Sequence, residues 1–296
     1  MRMLMACWLV LCGVVSLATA QDMPLSQVLI DGEGWQLLSE GHGFTEGPAA
    51  DKEGNVFFTD IPNSRIHKIA LDGKVTLFAE NTAKTNGLMF GPDGRLYGCR
   101  NGERTIVAYD SAGQPHTIAD DIDSNDLVVG SDGRIFVTDP PNQRVWLVTL
   151  KGEKKIVASG FRPNGIILWR DESTLVVTDG DIPHLWAFKV ESDGSLSAKD
   201  KYYGPLMLPP GRDKPGSDGM TIDKDGRLYA TTAAGLQMFD PIGRLGGAIH
   251  KPQSGKSLSN ACFGGLGLSY LYVTNGDKVY RRKTKTAGVV YGAKGK

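Results

Sequence analysis

Six polar side chains recur at one phase of a repeating pattern: Glu46, Asn86, Asn125, Asn164, Asp218 and Asn260. Together they offer two carboxylates and four amides, and neither His nor Cys joins them. An all-oxygen set with a charge of about −2 suits a hard divalent cation, because calcium takes about six to eight oxygens from carboxylates, amide carbonyls and waters in irregular geometry. Zinc or copper sites recruit His or Cys instead. Without a cation, Glu46 and Asp218 would repel each other and one of them should take up a proton. The expected ligands are Glu46, Asn125, Asn164 and Asp218, with Asn86, Asn125 and Asn260 also placed to meet a substrate. Any one of these residues beside glycine reads as a turn dipeptide; the phased set of six carries the metal reading.

The elements that must bring them together are short strands. Apolar residues fall in runs of four to six, bounded by Gly, Asp, Asn and Pro, and glycine alone contributes 38 residues. Six segments align: "TEGPAADKEGNVFFTD", "TNGLMFGPDGRLYGCR", "SNDLVVGSDGRIFVTD", "PNGIILWRDESTLVVTD", "SDGMTIDKDGRLYATT" and, most loosely, "SNACFGGLGLSYLYVT". The leading polar residues are spaced by 40, 39, 39, 54 and 42 residues. A repeat of this length holding several short strands is the signature of propeller blades. The expected fold is all-β: a six-bladed propeller with four-stranded blades. "WQLLSE" (35–40) precedes the first complete inner strand, so it should serve as the outer strand of the last blade and close the ring by pairing N- and C-terminal strands. Residues at one phase of a propeller meet at one height around the axis, however far apart they lie in sequence.

Residues 1–20, MRMLMACWLVLCGVVSLATA, read as a signal peptide: Arg2, an apolar run, then Ala18-Thr19-Ala20. The single propeller domain is then 21–296, exported to the periplasm or secreted, with no membrane span in the mature chain. Lys+Arg and Asp+Glu balance at 33 each, which gives no basis for binding nucleic acid. The mature chain keeps Cys99 and Cys262, either as a disulfide or as two separately buried thiols. Oligomeric state is not legible.

The motifs "FTEGP", "SNDLVV", "FVTDPP", "PNGI", "SDGM" and "CFGG", in this order over nearly the whole mature chain, resemble those of the senescence marker protein/gluconolactonase/luciferin-regenerating enzyme family. The resemblance implies a propeller with one divalent cation in the central channel, with Ca2+ favoured and Mg2+, Mn2+ or Zn2+ admissible. It implies Glu46, Asn164 and Asp218 as ligands, Asn125 as a ligand or a substrate contact, and Asp218 as general base or nucleophile. It implies hydrolysis of sugar or related lactones, with small-molecule substrates. Animal lactonase members carry an Arg where this chain has Asp123, and Arg100 is the candidate to supply that cation, against an ordinary strand-end arginine.

The expected reaction is opening of a lactone ring, with the metal polarising the carbonyl and Asp218 assisting the attack of water. Two other readings use the same ring of residues: an organophosphate hydrolase, and a non-catalytic exported propeller with a structural cation. No Gly-x-Ser-x-Gly elbow supports a serine hydrolase. "HKPQSGKS" (250–257) ends like a phosphate-binding loop, but His250 occupies its first glycine position, so it reads as a plain loop. Residues 200–216 read as a loop over the channel mouth, with Tyr202, Tyr203 and Met207 as candidate substrate contacts.

Overall fold

The structure, a computed structural model, describes residues 23–290; the leader-like segment 1–20 lies outside the described residues. Six four-stranded antiparallel sheets follow one another along the chain. Their inner strands are Thr45–Ala50, Thr85–Phe90, Leu127–Val129, Pro163–Leu168, Met220–Ile222 and Leu258–Gly264. In five blades the four strands run outward in sequence order. The sixth is composite: Gln36–Ser39 pairs with Lys278–Lys283 as its outer strand. The ring is therefore closed by the two ends of the chain, as the position of "WQLLSE" requires, and closure completes the sixth blade to four strands, leaving only short edge strands.

Neighbouring blades pack face to face through apolar side chains. Val128 and Phe136 of the third blade meet Ile166, Leu175 and Val177 of the fourth in one buried cluster. Tyr97, Cys99 and Ile106 of the second meet Leu127, Ile135 and Val137 of the third. Alternation along each strand sends one face to each neighbour, so a middle strand such as Val56–Asp60 is buried at every position.

Two recurrent features of the sequence acquire a reason here. The glycine after an axial residue is not a turn residue, as the dipeptide alone suggests; it lies within the inner strand, as Gly165 does, or immediately before it, as Gly219 does. A Cβ on Gly165 would sit 2.1 Å from the Asp218 carbonyl oxygen, and one on Gly219 would sit 1.9 Å from Asn260 Cγ. The blades approach the axis too closely for any side chain there. The threonine of the strand-end "TD" pairs, and of "TN" at 274–275, ties the irregular inner strands in place. Thr178 Oγ1 accepts from the Gly165 N–H at 2.7 Å, Thr138 Oγ1 from the Asp126 N–H at 3.0 Å, and Thr274 Oγ1 from the Asn260 N–H at 3.0 Å. Strand pairing breaks register at this level, between Glu46 and Ala49 and between Pro163 and Ile166. A bulge re-aims the side chain beside it, here toward the axis.

Cys99 and Cys262 are both free and buried. Burial pushes both thiols up in pKa, Cys262 beyond the range of a reactive thiol.

Candidate metal centre and active site

The inner strands and the residues that lead into them bring Glu46, Asp218 and Asn260 from three different blades into one largely buried polar cluster. The Asn260 amide donates to Glu46 Oε2 at 3.1 Å and, more loosely, to Asp126 Oδ2 at 3.5 Å. The Gly47 N–H donates to the same Glu46 oxygen at 2.6 Å. The Asn164 amide nitrogen donates to the Ser217 carbonyl at 3.5 Å, beside Asp218. Asn164 Oδ1 is buried and has no hydrogen-bond partner. A buried amide oxygen left without a donor is costly in a folded protein, and a cation at this place would satisfy it.

The electrostatics agree. Burial, then the charge of Asp126, raises the Glu46 carboxyl from 4.5 to about 8. Burial raises Asp126 to about 7. Burial, then Glu46 and Asp126, drives Asp218 well above the usual carboxylate range. Three carboxyls crowded out of water cannot all ionise unless positive charge joins them. The sequence expectation of two carboxylates is thus corrected to three: Asp126 belongs to the cluster. Its signal was present in the third repeat, where "SNDL" carries Asp at the position held by Gly47, Gly87, Gly165 and Gly219 in other repeats.

The axial residues partition the channel. On one side lies a cavity of about 610 Å3 whose floor includes Asn125, Asn164 and Asp218. On the other lies a more apolar cavity of about 530 Å3 reached by Asp126 and Asn260. Asn125 and Asp126 are chain neighbours, so they face opposite compartments. Asn260 faces the second compartment and bridges carboxylates. Asn86 lines neither, and its backbone carbonyl accepts from Thr59 Oγ1 at 3.1 Å.

Arg100 is held at its strand end. It pairs with Glu103 at 2.6 Å, donates to the Asn81 carbonyl at 3.1 Å, and does not line the mouth cavity. Asp123 accepts from Asn142 at 3.0 Å and lies 3.4 Å from Arg104. The cations of the mouth are instead Arg162, Arg212, Lys251 and Lys256. Two of them come from "HKPQSGKS", which is a loop, as the sequence indicates, but one that forms the wall of the cavity together with Ser254 and Ser257. Lys251 donates to the Lys256 carbonyl at 2.9 Å, and burial together with the nearby Arg212 lowers its pKa. Part of the segment 200–216 does rim the mouth, through Pro209, Arg212 and Gly216. Tyr202 and Tyr203 do not: they end the outer strand Leu196–Tyr203, where Tyr203 is fully buried and accepts from Trp169 Nε1 at 2.8 Å. Met207 is fixed by backbone hydrogen bonds to Gln237.

A comparison with protein families matches residues 44–277 to the SMP-30/Gluconolactonase/LRE-like region. The chain belongs to the SMP-30/gluconolactonase/LRE-like family. Among relatives of this family, a gluconolactonase of Zymomonas mobilis is 28% identical, covering 86% of this chain and 82% of its own length. The lactonase drp35 of Staphylococcus haemolyticus is 27% identical over 68% of this chain and 66% of its own length. A solved gluconolactonase of Xanthomonas campestris superposes with a TM-score of 0.78 at 27% identity, over 88% of this chain and 92% of that one. Regucalcin of Agrobacterium tumefaciens, described as calcium-binding, shares the fold at a TM-score of 0.74 and 17% identity, over 88% of this chain and 96% of that one. No helix among the described residues is long and apolar enough to cross a membrane.

Proposed function

We propose that this protein is a metal-dependent lactonase that hydrolyses a sugar lactone or a related small lactone. One observation carries the reading: Asp218, the member of the carboxylate cluster that reaches it, and Asn164, with its unpartnered amide oxygen, lie in the floor of a cavity of about 610 Å3. A volume of that order suits a small molecule. The gluconolactonase and lactonase relatives support the substrate class.

Glu46, Asn164 and Asp218 would hold the cation, and Asn125 reaches the same floor. The all-oxygen donor set favours Ca2+ over softer metals. A bound divalent cation supplies Lewis-acid stabilisation of negative charge developing on the lactone carbonyl. Asp218 is the one carboxylate among the residues lining the mouth cavity, so it is the group that accepts the proton of the attacking water. Asn125 positions the lactone over the floor by hydrogen bonding. Ring opening converts a neutral lactone into a carboxylate, and Arg162, Arg212, Lys251 and Lys256 give that anion a favourable path out of the mouth. The leader-like residues 1–20 support an exported enzyme acting in the periplasm or outside the cell.

The test is turnover of a lactone panel by purified mature protein, with and without chelator, beside Asp218→Asn. Loss of turnover on stripping, recovery with Ca2+, and an inactive Asp218→Asn variant support the mechanism. Full activity in both stripped and mutant protein overturns it. Cleavage of phosphotriesters in place of lactones would transfer the same site to organophosphate hydrolysis. Metal binding with no turnover would favour a binding propeller.

A further inference from the structure

The strand-end aspartates of the third and fourth blades share a local pattern, and the first blade departs from it. "TDPPNQRVW" (138–146) and "TDGDIPHLW" (178–186) place a tryptophan seven residues after the aspartate. In both, the indole N–H donates to that aspartate: Trp146 to Asp139 at 3.0 Å and Trp186 to Asp179 at 2.8 Å. The first blade reads "TDIPNSRIH" (59–67) and keeps the supporting asparagine, with Asn63 donating to Asp60 at 2.8 Å as Asn142 does to Asp139 at 2.8 Å. Tryptophan, however, is replaced by His67. The His67 ring stacks on Phe58 with centroids 5.2 Å apart, and its Nε2 is buried without a hydrogen-bond partner. Where the other blades direct a donor at the aspartate, this one presents an imidazole nitrogen with nothing to bind.

A second imidazole faces the same carboxylate. His42 comes from the linker between the closing strand Gln36–Ser39 and the first inner strand, and its Nδ1 lies 3.3 Å from Asp60 Oδ2. Its Nε2 is 2.7 Å from Ser39 Oγ. Binding a cation would displace any proton from Nδ1: the tautomer with its proton on Nε2, directed at Ser39 Oγ, frees the Nδ1 lone pair for an ion shared with Asp60. The remaining oxygen of Asp60 is oriented by the Gly43 N–H at 3.0 Å. Each of these two donors thus has the outer hydrogen bond that commonly orients a metal ligand. His42, Asp60 and His67 donor atoms all lie within 4.8 Å of one another. A tetrahedral zinc site with bonds near 2.0 Å spaces its donors by about 3.3 Å, the separation that His42 and Asp60 already have.

We propose that His42, Asp60 and His67 form a second metal site, for a borderline transition-metal ion of the Zn2+ or Co2+ class, that pins the ring-closing linker to the first blade. Two imidazoles and one carboxylate select such an ion over Ca2+. The site is separate in chemistry and position from the all-oxygen axis: Asp60 ends a second strand and His67 lies on a third, while the axial residues lie on the inner strands or just before them. The ion crosslinks residues from the closing linker and two strands of the first blade, so its binding stabilises the closed ring by linkage.

The test titrates Co2+ into untagged mature protein already loaded with Ca2+, reading visible ligand-field absorbance and bound metal per chain, with Zn2+ as competitor. The expected result is saturable uptake of about one Co2+ per chain, displaced by Zn2+, with a rise in unfolding temperature. His67→Trp copies the other blades and should keep the fold while weakening uptake by at least about tenfold. His42→Gln provides the same reading should the tryptophan variant fold poorly. Lactone turnover with Ca2+ should be the same in wild type and His67→Trp, which separates this site from the axial one. Absence of saturable Co2+ uptake by the wild type, or equal uptake by both variants, overturns the proposal.

Discussion

Glu46 at the axis and Asp60 at the rim of the first blade are both buried carboxylates, and their surroundings act on them in opposite directions. Burial and the charge of Asp126 raise Glu46 to about 8. Burial also works to raise Asp60, but hydrogen bonds from Asn63, Gly43 and Phe44 and the charge of His42 outweigh it, and its pKa falls below the usual carboxylate value. The difference lies in the donor supply. Asp60 is a strand-end residue, where loop N–H groups are free to turn toward it. All six axial positions are acids or amides, and the Asn260 amide nitrogen is already shared between Glu46 and Asp126. A carboxylate surrounded by N–H groups keeps its charge with no ion present; a set of carboxyls short of donors holds its protons until an external positive charge joins it.

The largest effect that would break this comparison is Asp218→Asn. The variant should lose lactone turnover by about 1,000-fold or more, because it removes both a negative ligand and the proton acceptor; steady-state kinetics with saturating Ca2+ checks this. Next comes packing at the axis. Gly219→Ala places a methyl 1.9 Å from Asn260 Cγ, and should destabilise the protein by about 3 kcal/mol or more, measured by urea unfolding. No such loss is expected for Gly94→Ala in space, since nothing lies within 4 Å of its Cβ position, though its φ of +78° keeps it strained.

A pH series sharpens the contrast further. Glu46 has a folded pKa above its ordinary value, so its contribution to the stability of metal-free protein is complete below about pH 4.5 and is lost as pH rises through about 8. Asp60 has a folded pKa below its ordinary 3.8, so its contribution is present above that pH and is lost as pH falls through the lowered value. Unfolding of stripped protein should therefore become easier from pH 5 to about 8, and Ca2+ should cancel most of that slope; a flat profile without metal would remove the electrostatic case for the axial site. The smallest effect is Trp146→Phe, which leaves Asp139 without its indole donor and should cost about 1 kcal/mol, read from the same unfolding curves.

Much of this arrangement was legible in the chain itself. The spacing of the six polar residues gives blade number and axial convergence, because a propeller puts equal phases at equal heights. The early strand "WQLLSE" reveals the closure, because it lacks any other partner. The Asn125-Asp126 pair shows where legibility ended. Repeat phase marks Asn125, but the third acid of the cluster is its neighbour, and which of two consecutive side chains enters which compartment depends on the local bulge. The cations of the mouth were hidden for a related reason: Arg162, Arg212, Lys251 and Lys256 stand at no common phase, since they belong to loops whose course the repeat does not dictate.

What the sequence by itself determined is the periodic part: strand length, blade count, ring closure, and an axial set rich in oxygen donors. These follow from period-2 alternation and a regular repeat, which are local properties written once per blade. Only the tertiary structure decided which carboxyls share a dry space, which amide oxygen is left without a donor, and that His42 from the closing linker meets Asp60 beside an unpartnered His67. Those are properties of contact between segments far apart in the chain, set by how closely backbones approach at the axis and at the ring closure, and local sequence carries no distance across that gap.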